Sequence, residues 1–397
     1  MHLPDMVLQP VPTVVSGALG VAGLAWAVRR LRGREGDRAT VLMGAMGACV
    51  FAAQMVNFPL YPWPISGHLM GGVLAAVVLG PAAGIAVMAL VLMVQAFLFG
   101  DGGITALGAN FVNMGLIGSG VGYAIYATLR RRWAGGLVGP NASEEARAQD
   151  QRAVVIAAMA ASWFSVLLAS GSLSIQLTLF GPNPGDLPIV LGWMTLVHCG
   201  IGLGEAMITG LAIRFLLLTR PDLIPPLETA TAPGLTSSTT SSASGRATAV
   251  FGGLGIALAI AAFLAPLASD HPDGFEWTAT RLGFLDHEDQ PEDQGDPAAL
   301  VAAEGPAGLG QEPANEPARP LYEAPLPDYA IQVEGPLGDW FRDAPSLSTA
   351  IAGIIGTLTV FLAGWIIARG LETRRPPTQF NPTPTDPQTG GVGPHVA

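Results

Sequence analysis

Long apolar runs separated by short polar joints make up most of this chain. A hydrocarbon core of about 30 Å takes about 20 helical residues to cross. On that criterion the pattern predicts helices near 12–29, 39–57, 66–80, 82–99, 105–128, 153–179 and 190–218. A Ser/Thr-rich joint at 233–245 follows, then helices near 248–268 and 346–368. The third run is short and Gly-interrupted, which predicts a tilted or re-entrant segment, and Gly80-Pro81 divides it from the fourth. Gly17, Gly20 and Gly23 give the first helix a small-residue face, suited to close packing inside the fold or to docking another membrane subunit. The expected fold is an all-α integral membrane protein. A bundle of about seven helices covers 1–220, with a cytoplasmic linker at 221–247. A two-helix unit with a long external loop covers 248–375, and a disordered tail closes the chain at 376–397.

Composition agrees with that pattern. Half of the residues are hydrophobic and 12% are charged, against about 25% charged in soluble domains. Every one of the 19 basic residues is Arg, and all but Arg281, Arg319 and Arg342 fall on one side of the predicted bundle. The positive-inside rule makes that side cytoplasmic. The N-terminus and residues 269–345 are then expected outside and the C-terminus inside, in the plasma (inner) membrane. Residues 269–345 carry 17 of the 30 acidic residues, so the acidity belongs to one external loop and implies no nucleic-acid partner. The loop opens with the compact, aromatic Asp270-His271-Pro272-Asp273-Gly274-Phe275-Glu276-Trp277. From Asp286 to Pro327 it is Pro-, Glu-, Ala- and Gly-rich, a composition that cannot bury a core and reads as disordered. Cys49 and Cys199 lie in apolar runs and imply no disulfide framework. Met1-His2-Leu3-Pro4-Asp5 lacks the basic start of a signal peptide and is expected to stay on the mature chain.

The candidate chemistry is carried by histidine. Of the six, His2, His68, His271 and His287 fall outside or at the outer interface, His198 lies within a helix, and His395 sits in the tail. A free terminal amine, the amide between Met1 and His2, and the His2 imidazole can chelate one metal through small fused rings. The fourth position of that square is open to an imidazole from elsewhere, and His68 is on the same side. Square-planar nitrogen coordination suits Ni(II) or Cu(II) better than Zn(II) or Mg(II), and the amide must lose its proton to bind. A histidine at position 2 by chance is the plainer reading when His2 is taken alone. Asn57, Asp101, Asn110, Asn113, His198 and Glu205 are polar groups on or beside apolar helices. Such groups either orient the ligating imidazoles through the other ring nitrogen or tie helix to helix. No Walker motif, Ser-His-Asp spacing or HExxH occurs, so no enzyme is expected.

Several of these stretches resemble a known family. They are Met1-His2-Leu3-Pro4-Asp5, Ser66-Gly67-His68-Leu69, Gln95-Ala96-Phe97-Leu98-Phe99-Gly100-Asp101-Gly102-Gly103, Ala106-Leu107-Gly108-Ala109-Asn110, Asn113-Met114-Gly115 and His198-Cys199-Gly200-Ile201-Gly202-Leu203-Gly204-Glu205-Ala206. Together they are similar to the CbiM/NikM family, the substrate-binding membrane component of energy-coupling-factor nickel/cobalt transporters, over about residues 1–218. Pro272-Asp273-Gly274-Phe275-Glu276 resembles the PDGLE motif of the small partner CbiN/NikN, with Phe275 in place of the usual Leu. The resemblance implies Met1, His2 and His68 as metal ligands and Ni2+ or Co2+ as cargo, with no organic cofactor. It also implies a transmembrane coupling subunit (CbiQ/NikQ-like) and cytoplasmic ATPase subunits (CbiO/NikO-like) as partners. The fused second part would assist loading or assembly. Asn57-Phe58-Pro59 keeps the family's Asn-x-Pro. Asp5-Met6 stands where Asp/Glu-Gly is usual, so a different turn is expected there. Leu60-Tyr61-Pro62-Trp63-Pro64 replaces a Gly-rich loop and predicts a stiffer lid. The rival readings are a stand-alone secondary metal permease, which would want a chain of intramembrane acids and histidines, and a metal- or haem-binding redox subunit, which would want paired intrahelical histidines.

Overall fold

The computed structural model describes residues 2–33, 36–133, 143–181, 186–225, 227, 243–282 and 322–372. Helix α1 (Pro10–Gly33) leads to α2 (Gly36–Gln54). A two-residue hairpin, β1 (Phe58–Pro59) and β2 (Ser66–Gly67), follows, antiparallel with Phe58 opposite Gly67. The half-helix α3 (Gly72–Leu79) comes next. Then α4 (Pro81–Val94) runs on through a π-helical turn at Gln95–Phe99. Helix α5 (Leu107–Asn110) continues through a π-helical stretch, Phe111–Val121, into α6 (Gly122–Trp133). Two long helices, α7 (Glu144–Phe180) and α8 (Leu187–Thr219), pack against each other. The second part consists of α9 (Ala243–Ala259), extended by a π-helical turn at Ile260–Leu264, the short α10 (Gly274–Arg281) and α11 (Pro336–Asp343), and α12 (Pro345–Glu372).

Among the described residues six helices are long and apolar enough to cross a membrane. The chain is therefore the all-α, multi-pass membrane protein its apolar runs predict. Helix α4 is the innermost, with 83% of its apolar window buried, against 17% for α1 at the rim. The small-residue face of α1 packs inside the fold: Gly17 backs onto Gly108, and a Cβ built on Gly108 would stand 2.5 Å from the Gly17 main chain. The two parts of the chain meet along α2 and α12. A Cβ on Gly364 would lie 2.8 Å from the Gly44 Cα, so the two backbones approach at glycine.

Two expectations are corrected. The third helix does not begin at 66. Ser66-Gly67 is extended, and α3 starts only at Gly72, after Gly71 turns the chain at φ +75°. At about 1.5 Å per residue its eight residues reach less than half-way across a bilayer, and seven of them are buried in the bundle. His68 therefore sits in a connecting segment and not at a helix mouth. The stretch from Asp286 to Pro327, expected to be disordered, is described only from Tyr322, and there it is ordered. The Leu326 N–H donates to the Leu98 carbonyl at 3.0 Å. Met1, His287, His395, residues 233–242 of the Ser/Thr-rich joint and the tail lie outside the described residues.

Candidate metal centre

The start of the chain is clamped into the loop after α4. Leu3 is fully buried. Its N–H donates to the Asn110 side-chain oxygen at 2.8 Å, and its carbonyl accepts from Asn110 Nδ2 at 3.1 Å and from the Gly103 N–H at 2.8 Å. Asp5 accepts from the Thr105 N–H and hydroxyl at 2.8 and 2.7 Å, and the Met6 N–H donates to the Thr105 hydroxyl at 3.1 Å. Gly103 makes this approach possible, because a Cβ there would stand 2.3 Å from the Asp5 nitrogen. Met6 itself is left-handed, φ +64°, a conformation that costs a non-Gly residue about 1–2 kcal/mol. Met6 thus keeps a left-handed conformation of the kind glycine favours, and the different turn expected from Asp5-Met6 is not what the backbone shows.

This clamp fixes His2. Its ring stacks on that of His68, centroids 5.4 Å apart and planes 12° from parallel. His2 Nδ1 lies 3.0 Å from Asp101 Oδ1, while its Nε2 is buried without a hydrogen-bond partner. Burial acts to raise the Asp101 carboxyl, but His2 and the Tyr329 hydroxyl outweigh it and hold it well below the usual carboxylate range. His68 Nδ1 pairs with the Leu69 carbonyl at 3.1 Å, and its Nε2 lies 3.8 Å from Asp273 Oδ2. Burial pushes the His68 imidazole down to about 4, so it is neutral near pH 7 and chemically a metal ligand. Among the described residues no three His, Cys, Asp or Glu side chains form a metal-holding group.

The other sequence candidates divide. Glu205, fully buried on α8, accepts from the Met70 and Gly71 N–H groups at 2.6 and 3.0 Å, and so anchors the segment that carries His68. His198 pairs its Nδ1 with the Met194 carbonyl at 2.8 Å. Its buried Nε2 has no hydrogen-bond partner, and the residue lines a small cavity with His68, Met70, Met114 and Asp273. Asn113 points elsewhere, exchanging hydrogen bonds with Gln176 at 3.2 and 2.8 Å and accepting one from Ser172 at 2.8 Å, a helix-to-helix tie. Asn57 meets the second part through its main chain, its carbonyl accepting from the Ser269 N–H at 2.9 Å.

Asp273 is the site residue that the reading of the sequence passed over. It caps α10, accepting from the Phe275 and Glu276 N–H groups at 2.7 and 2.8 Å while Glu276 bonds back to its own N–H. The Asp-x-x-Glu spacing of this capping box is legible in the sequence; its position beside His68 is not. Ser66 binds the same segment, its N–H donating to the Pro272 carbonyl at 2.8 Å and its hydroxyl to the His271 carbonyl at 2.7 Å. Phe275 is buried in one apolar cluster with Leu3, Ala109 and Met194. The Pro-Asp-Gly-Phe-Glu stretch thus lies against both the start of the chain and the His68 segment.

Residues 2–223 match the family model described as the cobalt uptake substrate-specific transmembrane region, CbiM. The chain belongs to the CbiM family. Residues 247–373 match the PDGLE domain, so the CbiM region carries α1–α8 and the PDGLE region α9–α12. The same fusion is found in relatives. A putative fused nickel transport protein NikMN of Archaeoglobus fulgidus is 31% identical over 94% of this chain and 100% of its own. A fused nickel transport protein NikMN of Rhodobacter capsulatus is 30% identical over 89% of this chain and 96% of its own. A crystal structure of a truncated transition-metal transporter shares 29% identity, with a TM-score of 0.46, covering 55% of this chain and 99% of that one. CbiM-family proteins are transport components and not enzymes.

Proposed function

We propose that this chain is the substrate-binding membrane component of an energy-coupling-factor importer for Ni2+ or Co2+. The observation that carries the reading is the His2–His68 pair: two stacked imidazoles, one of them on the opening segment of the chain, which is clamped into the bundle. Met1 supplies its amine, His2 its amide and imidazole, and His68 its imidazole, giving four nitrogens in a plane. A fused chelate from the His2 amide closes through Nδ1, which in the metal-free arrangement faces Asp101. Loading therefore turns the ring about its Cβ–Cγ bond, so that Nε2 comes round toward the carboxylate. Asp101 and Asn110 hold the His2 side of the square, and Glu205 and His198 the His68 side.

The Arg asymmetry puts the N-terminus and the PDGLE loop outside, so the metal enters from the extracytoplasmic face, and the C-terminus lies in the cytoplasm. Residues 1–220 form the metal-binding unit, 221–247 the linker and 248–375 the unit that assists loading. A CbiQ/NikQ-like coupling subunit and CbiO/NikO-like ATPases supply the energy, for the chain has no nucleotide motif of its own. Nickel is favoured by square-planar geometry and by the names of the fused relatives. The purified chain is expected to hold one diamagnetic Ni(II), displaced by Co(II) only in excess and not by an equal concentration of Zn(II). Preferential Zn(II) binding, or binding that survives His68→Ala, would refute the reading.

A further inference from the structure

Each histidine of the pair faces a carboxylate, His2 that of Asp101 and His68 that of Asp273. Asp101 has a second attachment. The Tyr329 hydroxyl donates to Asp101 Oδ2 at 2.5 Å, while Oδ1 of the same carboxylate faces His2. Tyr329 belongs to the PDGLE region, 228 positions further along the chain, two residues past the Asp286–Pro327 stretch whose composition suggested no structure. It is held there deliberately. Its ring stacks on Phe99 with centroids 4.5 Å apart, and Leu326 and Ile331 on either side are pinned by hydrogen bonds to Leu98 and Ser348. Asp328 and Tyr329 both adopt left-handed backbone, φ +52° and +57°. Two such residues in succession without glycine are strained and persist only where their surroundings impose them.

We propose that Tyr329 is a positioning residue for the metal site, acting on His2 through Asp101. By occupying one carboxylate oxygen, its hydroxyl fixes the rotation of the Asp101 side chain and leaves the other oxygen aimed at the imidazole. The PDGLE region then completes the ligand shell of the CbiM region from behind, which gives the fusion a role in how tightly metal is held. This rests on the assignment of His2 as a ligand. Outer groups that orient a metal-bound histidine are typically worth 10–100-fold in affinity, and Tyr329, one step further out, is expected at the lower end.

The test is Ni(II) titration of the purified full chain carrying Tyr329→Phe, which keeps the ring on Phe99 and removes only the hydroxyl. Affinity is expected to fall about tenfold with the melting temperature of the metal-free protein unchanged. In an Asp101→Asn background the same substitution is expected to have no further effect, because residues acting through one group are not additive. Wild-type affinity in Tyr329→Phe overturns the proposal, as does an equal loss in both backgrounds, which would make the tyrosine a packing group only. If Asp101→Asn binds too weakly to titrate, Phe99→Leu takes its place. That variant weakens the stacking and keeps the hydroxyl, and a loss from it as large as that from Tyr329→Phe likewise overturns the proposal. His2→Ala in the same series separates the two levels. Binding kept in His2→Ala removes the site itself, whereas binding lost there and retained in Tyr329→Phe removes only the tyrosine.

Discussion

Replacing Asn110 by alanine tests how the start of the chain is held. Asn110 makes two buried hydrogen bonds to Leu3, and only one of the two Leu3 groups has another partner: the Leu3 carbonyl also accepts from the Gly103 N–H, whereas among the described residues the Leu3 N–H donates to Asn110 alone. The variant leaves one buried N–H unsatisfied, which costs about 1–3 kcal/mol. Taking about 2 kcal/mol, and about 1.4 kcal/mol per tenfold, the docked strand is disfavoured about 30-fold. Metal affinity falls by that full factor when the strand undocks in the metal-free protein, and by less to the extent that docking has margin to spare. Isothermal titration with Ni(II) is expected to give 10- to 30-fold weaker binding, with the bundle's melting temperature unchanged. Hydrogen exchange at the Leu3 and Gly103 amides reports docking independently. Faster exchange at both with wild-type affinity would refute the reasoning, since metal would then bind without a docked strand.

Four further outcomes follow from the same geometry. Asp273→Asn keeps an acceptable helix cap and removes the charge beside His68, so metal affinity is expected to fall several-fold by titration with the melting temperature retained, while Asp273→Ala loses both. Met6→Gly relieves the left-handed strain at φ +64° and is expected to stabilise the metal-free protein by about 1 kcal/mol, read as a rise in melting temperature. Affinity for Ni(II) is expected to weaken steadily as pH falls, because the ligands must give up protons to bind; a flat profile in buffered titrations between pH 8 and 6 would count against amide coordination. In a background without Cys49 and Cys199, a membrane-impermeant thiol reagent applied to intact cells is expected to label Leu300→Cys and not Pro140→Cys. The reverse pattern would invert the proposed orientation.

Most of the helical plan was legible because apolar length is set by the bilayer and the chain obeys it. The exception is instructive. The run from 66 to 80 is apolar enough for a helix, but Gly71 at positive φ and the pairing of Ser66 with the Pro-Asp-Gly segment make its first part extended. Apolar content records burial, and burial here comes from α8 and α10 and not from lipid. His2 and His68 were legible as chemistry. Their stacking depends on contacts more than 100 residues apart in sequence, such as Leu3 with Asn110. Asn113 looked like its neighbour Asn110, yet it lies past the change to π-helix at Phe111 and pairs with Gln176. Tyr329 and Asp273 were hidden for a common reason: each reaches the histidine pair only through contacts made more than 200 positions apart in sequence, which no local pattern records.

The central claim is that the metal site begins at the amine of Met1. The most direct measurement is Ni(II) uptake by cells expressing a chain with one extra residue ahead of Met1, with retention of that residue verified by mass spectrometry of the purified protein. The extension turns the amine into an amide and moves the free amine one residue from His2, so that His2 becomes third and the chelate can close without His68. Uptake is expected to be lost while expression and membrane insertion survive. Uptake at the wild-type rate by the intact extended chain would contradict it, removing Met1 from the site and leaving the His2–His68 pair without the donors that complete a square.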